Sequence, residues 1–317
     1  PICSFDYYYK KTNDILVQTP YIAAMGEGGE PWVNGASMNN QGVEFTVSFK
    51  SDPSSEFQWA VSANIGTYKT ELTDLPSNVI NKYAGDGVHD LILGRSPNSA
   101  YGLVADGIFK TQEEVDAHAD QPGKAVGRIR YKDLDGDGVI NETYDRTWIG
   151  CYDPDFFGGL NFDFAYKGFD LNLFFEGMFG NDVNSDWKKE SDIWLFTNPA
   201  WKNHATRMLG GWSPDNPNSD IPAISNNTAN QEQRFSSWFI EDGSYIKLRN
   251  IELGYTFPTK LIKKMHMSNL RLYAAAYNVF TLKKFWGDDK YTSFDPERPS
   301  YHYLTPFTFN FGINVSF

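Results

Sequence analysis

Alternation with a period of two runs through the chain in paired stretches. In the last of them Phe307, Phe309, Phe311, Ile313, Val315 and Phe317 alternate with Thr308, Asn310, Gly312, Asn314 and Ser316. Such a period sends successive side chains to opposite faces of a β-strand, one oily here and the other small and polar. Val43, Phe45, Val47 and Phe49 alternate with Glu44, Thr46, Ser48 and Lys50, and the pattern resumes at Phe57, Trp59, Val61, Ala63 and Ile65. The stretch Ser51-Asp52-Pro53-Ser54-Ser55 between them predicts a hairpin turn. A second hairpin is predicted from Leu160–Tyr166 and Phe169–Glu176 about a Lys167-Gly168 turn. Its polar face carries Asp170, Asn172 and Glu176, so that face must meet water.

Three further strands are predicted. Ser244–Phe257 alternates, but its apolar set slips from Ile246 and Leu248 to Ile251, Leu253, Tyr255 and Phe257. A slip of one residue predicts a β-bulge near Arg249-Asn250. Asn269–Phe280 follows, and Phe5–Val17 opens the chain with a polar interruption at Lys10–Asp14. The segment Gln18–Gln41 is expected to be a polar, glycine-rich loop. Eight spans result, joined alternately by short turns and by the long segments Tyr68–Phe156, Gly180–Gln233 and Thr281–Thr305. Loops that long inside a compact domain call for a function. Short connections at one rim and long ones at the other are the asymmetry of a membrane barrel.

Composition agrees with this reading. Aromatic residues make up 16% of the chain, and membrane barrels use aromatics at both interfaces. No apolar run approaches the roughly 18–20 residues of a membrane helix. The net charge of −12 disfavours a nucleic-acid partner, because phosphates are repelled. The expected fold is all-β, an antiparallel transmembrane β-barrel. Two rivals stay open on the residues alone: a closed eight-stranded barrel with a structural or adhesive role, and a secreted carbohydrate-binding β-sandwich. Pro1–Tyr9 lacks the basic start and apolar core of a secretory leader, which predicts a processed chain or a piece of a longer one. Cys3 and Cys151 are compatible with a disulfide in an oxidising compartment, or with two separate thiols.

Three stretches carry a family resemblance. One is Gly127–Asn141 (GRIRYKDLDGDGVIN) with the preceding Asp106–Gly123. Another is Phe239–Pro258 (FIEDGSYIKLRNIELGYTFP). The third combines Asn278-Val-Phe-Thr281, Asp295-Pro-Glu297 and the terminal Phe317. Together these resemble the carboxy-terminal part of SusC/RagA-type TonB-dependent transporters of Bacteroidetes, across essentially residues 1–317. The resemblance implies a barrel of about 22 strands, of which these eight form the last part, with the plug outside this chain. It also implies an outer-membrane location with long loops (68–156 above all) extracellular and the carboxy-terminus periplasmic. Implied partners are the remainder of the same barrel, outer-membrane lipid, TonB and a SusD-like lipoprotein, with oligosaccharides or peptides as substrates.

Candidate sites are few. Asp133, Asp135 and Asp137 with Gly138 reproduce the first half of an EF-hand loop, whose next ligand would be the Val139 carbonyl. Position twelve is Tyr144, and the nearest distal carboxylate is Asp145. A calcium ion bracing this loop is the expectation, against a solvated acidic turn held by its own Asx hydrogen bonds; no other cofactor is expected. Phe309, Phe311 and Phe317 are the expected membrane-insertion signal. Thr111 and Glu114 have capping-box spacing and predict a short helix. Trp187, Trp194, Trp201, Trp212 and Trp286 are placed to stack on a substrate, to pack loops together or to meet the lipoprotein. His89, His118, His204, His266 and His302 lack ligand spacing, and no nucleophile or phosphate-loop motif occurs, so catalysis is not expected.

Overall fold

The computed structural model describes residues 1–19, 30–193, 204–225, 229, 231–283, 292–299 and 303–317. Its strands begin with β1 (Ile2–Gln18), β2 (Trp32–Lys50), β3 (Phe57–Asp74), β4 (Ser99–Leu103) and β5 (Ala105–Ile108). They continue with β6 (Ile129–Tyr131), β7 (Arg146–Cys151), β8 (Phe156–Tyr166), β9 (Phe169–Phe179) and β10 (Asp182–Asn184). The last four are β11 (Ile240–Asp242), β12 (Tyr245–Thr256), β13 (Asn269–Lys283) and β14 (Thr308–Ser316). The eight expected spans form one antiparallel sheet in the order β1-β2-β3-β8-β9-β12-β13-β14, and the six short strands pair off within the long connections.

This sheet is an up-and-down meander. Its connections at one rim are 51–56, 167–168 and 257–268; those at the other include 75–155 and 180–244. Among the described residues β1 and β14 each pair on one side only, so the sheet is open and is not a closed eight-stranded barrel. Nor is it half of a sandwich. Phe45, Phe49, Phe57, Ile65, Phe169, Leu253, Phe309, Phe311 and Ile313, all on one face, stay exposed. The eleven residues of β8, at about 3.4 Å per residue and a tilt of about 40°, rise about 26 Å. That matches the apolar band of a membrane barrel, about 25 Å tall, and aromatic rings close both ends. Phe156 stacks on Phe179 at the long-loop rim, and Phe57 meets Tyr166 beside Phe169 and Tyr255 at the other.

The opposite face is a hydrogen-bonded polar surface. Asn172 Nδ2 donates to Asp163 at 2.7 Å and to Asn161 at 3.0 Å, and Asn250 donates to Asn172 at 2.9 Å. Nearer the short turns Arg271 grips Asp170 and donates to Glu252 at 2.7 Å. The expected bulge is present. Between Leu248 and Asn250 the register against β9 shifts, leaving Arg249 as the extra residue. A second shift against β13 falls at Asn278, whose φ of 54° places it in the left-handed region.

Several expectations need correction. The polar loop expected over Gln18–Gln41 is strand over Trp32–Gln41, because β2 starts at Trp32 and pairs with β1 back to Gln18. Ala36 is buried in a cluster with Val17, Leu72, Leu75, Val79 and Ile92, so this polar-looking stretch is held by a core above the wall. The interruption at Lys10–Asp14 is a bulge inside β1, with Asp14 at φ 55°. Cys3 and Cys151 are free thiols. Cys3 pairs with Val47 on the wall, while Cys151 closes the loop strand β7 against Ser99.

Candidate functional site

The long connections fold into a crown with its own packing. Leu103, Ile108, Ile129, Tyr131, Ile140, Ile193 and Phe239 form a buried cluster drawn from the connections 75–155 and 180–244. An ion pair ties the same two connections together. Arg128 donates to Glu232 at 2.7 Å, both side chains being almost wholly buried, and Glu232 also accepts from the Ile129 amide at 2.9 Å. Arg128 reaches the Ala223 carbonyl as well. Desolvation pushes the Glu232 carboxyl up from its ordinary value despite Arg128. A buried pair of this kind contributes little net stability while intact, yet is costly to break, because the remaining charge is stranded.

A second cluster pins the connection between β13 and β14 onto the wall. Lys247 on the polar face of β12 donates to Asp295 at 2.6 Å and also contacts Glu297. Arg249 bridges Glu297 and Glu176, the latter at 2.9 Å. Against a desolvation that pushes both carboxyls up, Lys247, joined at Glu297 by Arg249, holds Asp295 and Glu297 below the ordinary carboxylate range. The strap is fixed at its other contacts too. Thr292 Oγ1 donates to Glu241 at 2.8 Å, Ser185 and Ser293 share a hydrogen bond, and the Trp187 amide donates to the Pro299 carbonyl. This network was not read from the sequence. The available signal was two same-phase cations, Lys247 and Arg249, on a face otherwise polar and acidic.

The acidic loop is the one convergent group of three or more ligand-type side chains among the described residues. Oxygens of Asp133, Asp135 and Asp137 lie within 4.8 Å of one another. The loop shapes itself: Asp133 accepts from the amides of Gly136 at 2.7 Å and Gly138 at 2.9 Å, and Asp137 accepts from Val139 at 2.7 Å. Against desolvation, those glycine amides hold Asp133 below its ordinary value. Asp135 is held above its own: the Asp137 amide favours its charge, but desolvation and the carboxylates of Asp137, Asp145 and Asp133 outweigh it. Asp145 is fully buried behind the loop, where it accepts from the amides of Leu134 at 2.8 Å and Asn141 at 2.7 Å. Asp133, half-buried, thus converges with the exposed Asp135 and Asp137, while Asp145 is occupied as a backbone brace.

The remaining expected residues fall as follows. Helix α1 (Gln112–Ala117) starts at Thr111, whose hydroxyl accepts from the Glu114 amide at 3.3 Å, as the capping spacing predicts. Glu114 answers one residue further back than a capping box requires, accepting from the Lys110 amide. The Trp187 ring packs edge-on against Phe294 at 4.6 Å, and Trp212 packs against the crown core. Both therefore join loops together. Trp194, Trp201, Trp286 and His302 lie outside the described residues. Phe309 and Phe311 stand on the bare face of β14, with Phe317 exposed just beyond it.

An antiparallel meander with one bare apolar face, one bonded polar face and a crown of long loops at a single rim is a wall segment of a transmembrane β-barrel. The chain is 30% identical to TonB-dependent receptor P3 of Formosa agariphila over 99% of its length, and 25% identical to TonB-dependent receptor SusC of Bacteroides thetaiotaomicron over 98%. It spans 32% and 30% of those proteins, about a third of the curated relatives it matches. A solved structure titled as the RagAB peptide transporter superposes with a TM-score of 0.76 at 22% identity, covering 99% of this chain and 33% of that one. No family model matches the chain. More particularly, then, the chain is a homologue of TonB-dependent receptors of the SusC/RagA type, aligned with one third of their length.

Proposed function

We propose that this chain is the carboxy-terminal barrel wall of a TonB-dependent outer-membrane importer of oligosaccharides or peptides, working with a SusD-like lipoprotein over the long-loop rim. The observation that carries the reading is homology with TonB-dependent receptors over nearly the whole of this chain, joined to an open eight-stranded wall whose two edges, unpaired among the described residues, require further strands. An unpaired edge in hydrocarbon costs several kcal/mol per bare backbone group, so β1 and β14 pair with the remainder of the same barrel. In this reading the crown faces outward and the carboxy-terminus lies in the periplasm. The bare face meets outer-membrane lipid, and Phe309, Phe311 and Phe317 serve as insertion signal. Asp170, Asn172 and Glu176 border the plug or lumen water. The protein binds and releases cargo without altering it; TonB supplies the work by displacing the plug.

A calcium ion at Asp133, Asp135 and Asp137, completed by the Val139 carbonyl, fits the same reading as a brace for the crown. The convergence of three carboxylates favours it. With Asp145 engaged elsewhere, its affinity falls in the weak range of extracellular modules, a dissociation constant of about 10⁻⁴–10⁻³ M.

The test is growth. A strain lacking the full-length receptor is complemented with it and grown on defined oligosaccharides or on short peptides as sole carbon source. Uptake that needs both the receptor and TonB supports the proposal and separates glycan from peptide. Uptake that persists without TonB overturns it.

A further inference from the structure

The bare face of the sheet is not evenly covered. Across four strands one same-face row reads Ile65, Gly158, Gly177 and Ile246, each paired directly with the next. The two central positions carry no side chain. Toward the long-loop rim the next row is the Phe156–Phe179 stack, with centroids 4.8 Å apart; toward the other rim it is Leu160 and Phe175, with Phe162 edge-on to Phe175. The result is a groove of about 490 Å³ whose floor is backbone and whose walls are rings and aliphatic chains.

Close approach requires Gly158 and leaves little room for a side chain at Gly177. A Cβ on Gly158 would lie 2.3 Å from the Asn64 carbonyl oxygen, and one on Gly177 would lie 3.0 Å from the Phe179 ring and 3.1 Å from the Tyr245 carbonyl oxygen. The groove is therefore built into the backbone of the wall. At ordinary strand spacings its flanks, Ile65 and Ile246, are about 14 Å apart across the strands, and its bounding rows are about 14 Å apart along them.

We infer that this groove seats an acyl chain of a membrane lipid from the leaflet at the long-loop rim. Backbone groups in its floor are spent in the sheet ladder, so an occupant needs no hydrogen bonds and gains nothing from polar groups. Left empty, the lining forfeits the dispersion contacts that a close-packed surface makes. The groove is continuous with the lipid-facing belt of Ile65, Leu160, Phe162, Phe164 and Leu171, so hydrocarbon is its surrounding medium. A flexible alkyl chain can follow a narrow apolar channel, whereas a second protein would have to offer a ridge matched to it.

The test uses the full-length protein in nanodiscs containing phosphatidylethanolamine with a photoreactive diazirine on one acyl chain. Cross-links mapped by peptide mass spectrometry are expected to concentrate on 156–162 and 175–179, several-fold above Phe45–Phe49 on the same belt. Ile246→Trp, which fills the groove from its flank and leaves both glycines in place, is expected to return that labelling to the belt level. Even labelling along the belt overturns the inference. So does protection of the groove with cross-links to another protein in its place, and so does a labelling excess that Ile246→Trp leaves unchanged.

Discussion

Placing an arginine at Phe162 tests the two-faced wall most directly. Phe162 sits on the bare face of β8, six residues from Phe156 and four from Tyr166. With the same rise and tilt it lies about 16 Å from the long-loop rim and about 10 Å from the other, close to the bilayer midplane. An outward arginine there costs about 2–4 kcal/mol, a shift of roughly 30- to 900-fold in the folding equilibrium. The neighbouring residue faces the other way. Asn161 lies beside Asp163 on the polar face, so Asn161→Arg finds both water and a carboxylate and costs under about 1 kcal/mol. Tyr166→Arg, on the bare face but at the rim, costs about 0–1 kcal/mol. The assay is a urea titration of the full-length protein in lipid vesicles, followed by tryptophan emission and protease resistance. Phe162→Ala serves as a control for lost packing with Phe164 and Phe175. Equal losses at positions 161 and 162, or a larger loss at Tyr166 than at Phe162, would refute a wall with lipid on one side and water on the other.

Glu232→Ala strands the Arg128 charge in the crown and is expected to destabilise the joined connections by about 3–5 kcal/mol, seen as faster proteolysis within 75–155 and 180–244 with the wall strands between them intact. Docking of the strap depends on pH. The folded-state pKa values of Asp295 and Glu297 are lowered, so their contribution is complete above the unfolded values, about 3.9 and 4.3, and is lost as pH falls through the lower folded ones. Hydrogen exchange over residues 292–299, corrected for intrinsic rates, is expected to rise in that acid window and to rise at neutral pH in Lys247→Met. Calcium at millimolar concentration is expected to slow proteolysis of the 133–145 loop, and Asp135→Asn to abolish the effect; calorimetry showing no heat up to about ten times the weak-site constant removes the ion. Deleting Phe317 is expected to lower the yield of membrane-inserted protein without changing the urea midpoint of the fraction that folds.

What was legible in the sequence divides along one physical line. Each wall strand carries its own evidence, since burial on a single face imposes a period of two whatever the neighbours are. Even the bulge at Arg249 was readable, because an extra residue inverts the phase of everything after it. The Thr111 cap was readable for the same reason, its hydrogen bond spanning three residues. Trp32–Gln41 was misread because its support is remote: Ala36 is small and unremarkable in sequence, and only the loop residues Leu75, Val79 and Ile92 make its position a core. The Lys247–Asp295–Glu297–Arg249 cluster was hidden likewise, its partners lying 48 and 50 residues apart.

This difference follows from the solvent on each side. A barrel wall needs no interior of its own, because lipid covers one face and the sheet ladder satisfies the backbone, so its code is local and repetitive. Loops standing in water have no such support and must bury something to hold a shape. Here they do so twice, in the cluster around Val17 and Leu72 and in the one around Tyr131 and Phe239. The first is built partly from the ends of β1, β2 and β3, and through it the crown is rooted in the wall. The second is built from two connections alone, with the Arg128–Glu232 pair fixing one against the other. A motion that opened the rim would therefore break first at polar contacts, the strap held on the wall by Lys247 and Arg249, and last at the strand ends, where the loops and the barrel share one apolar core.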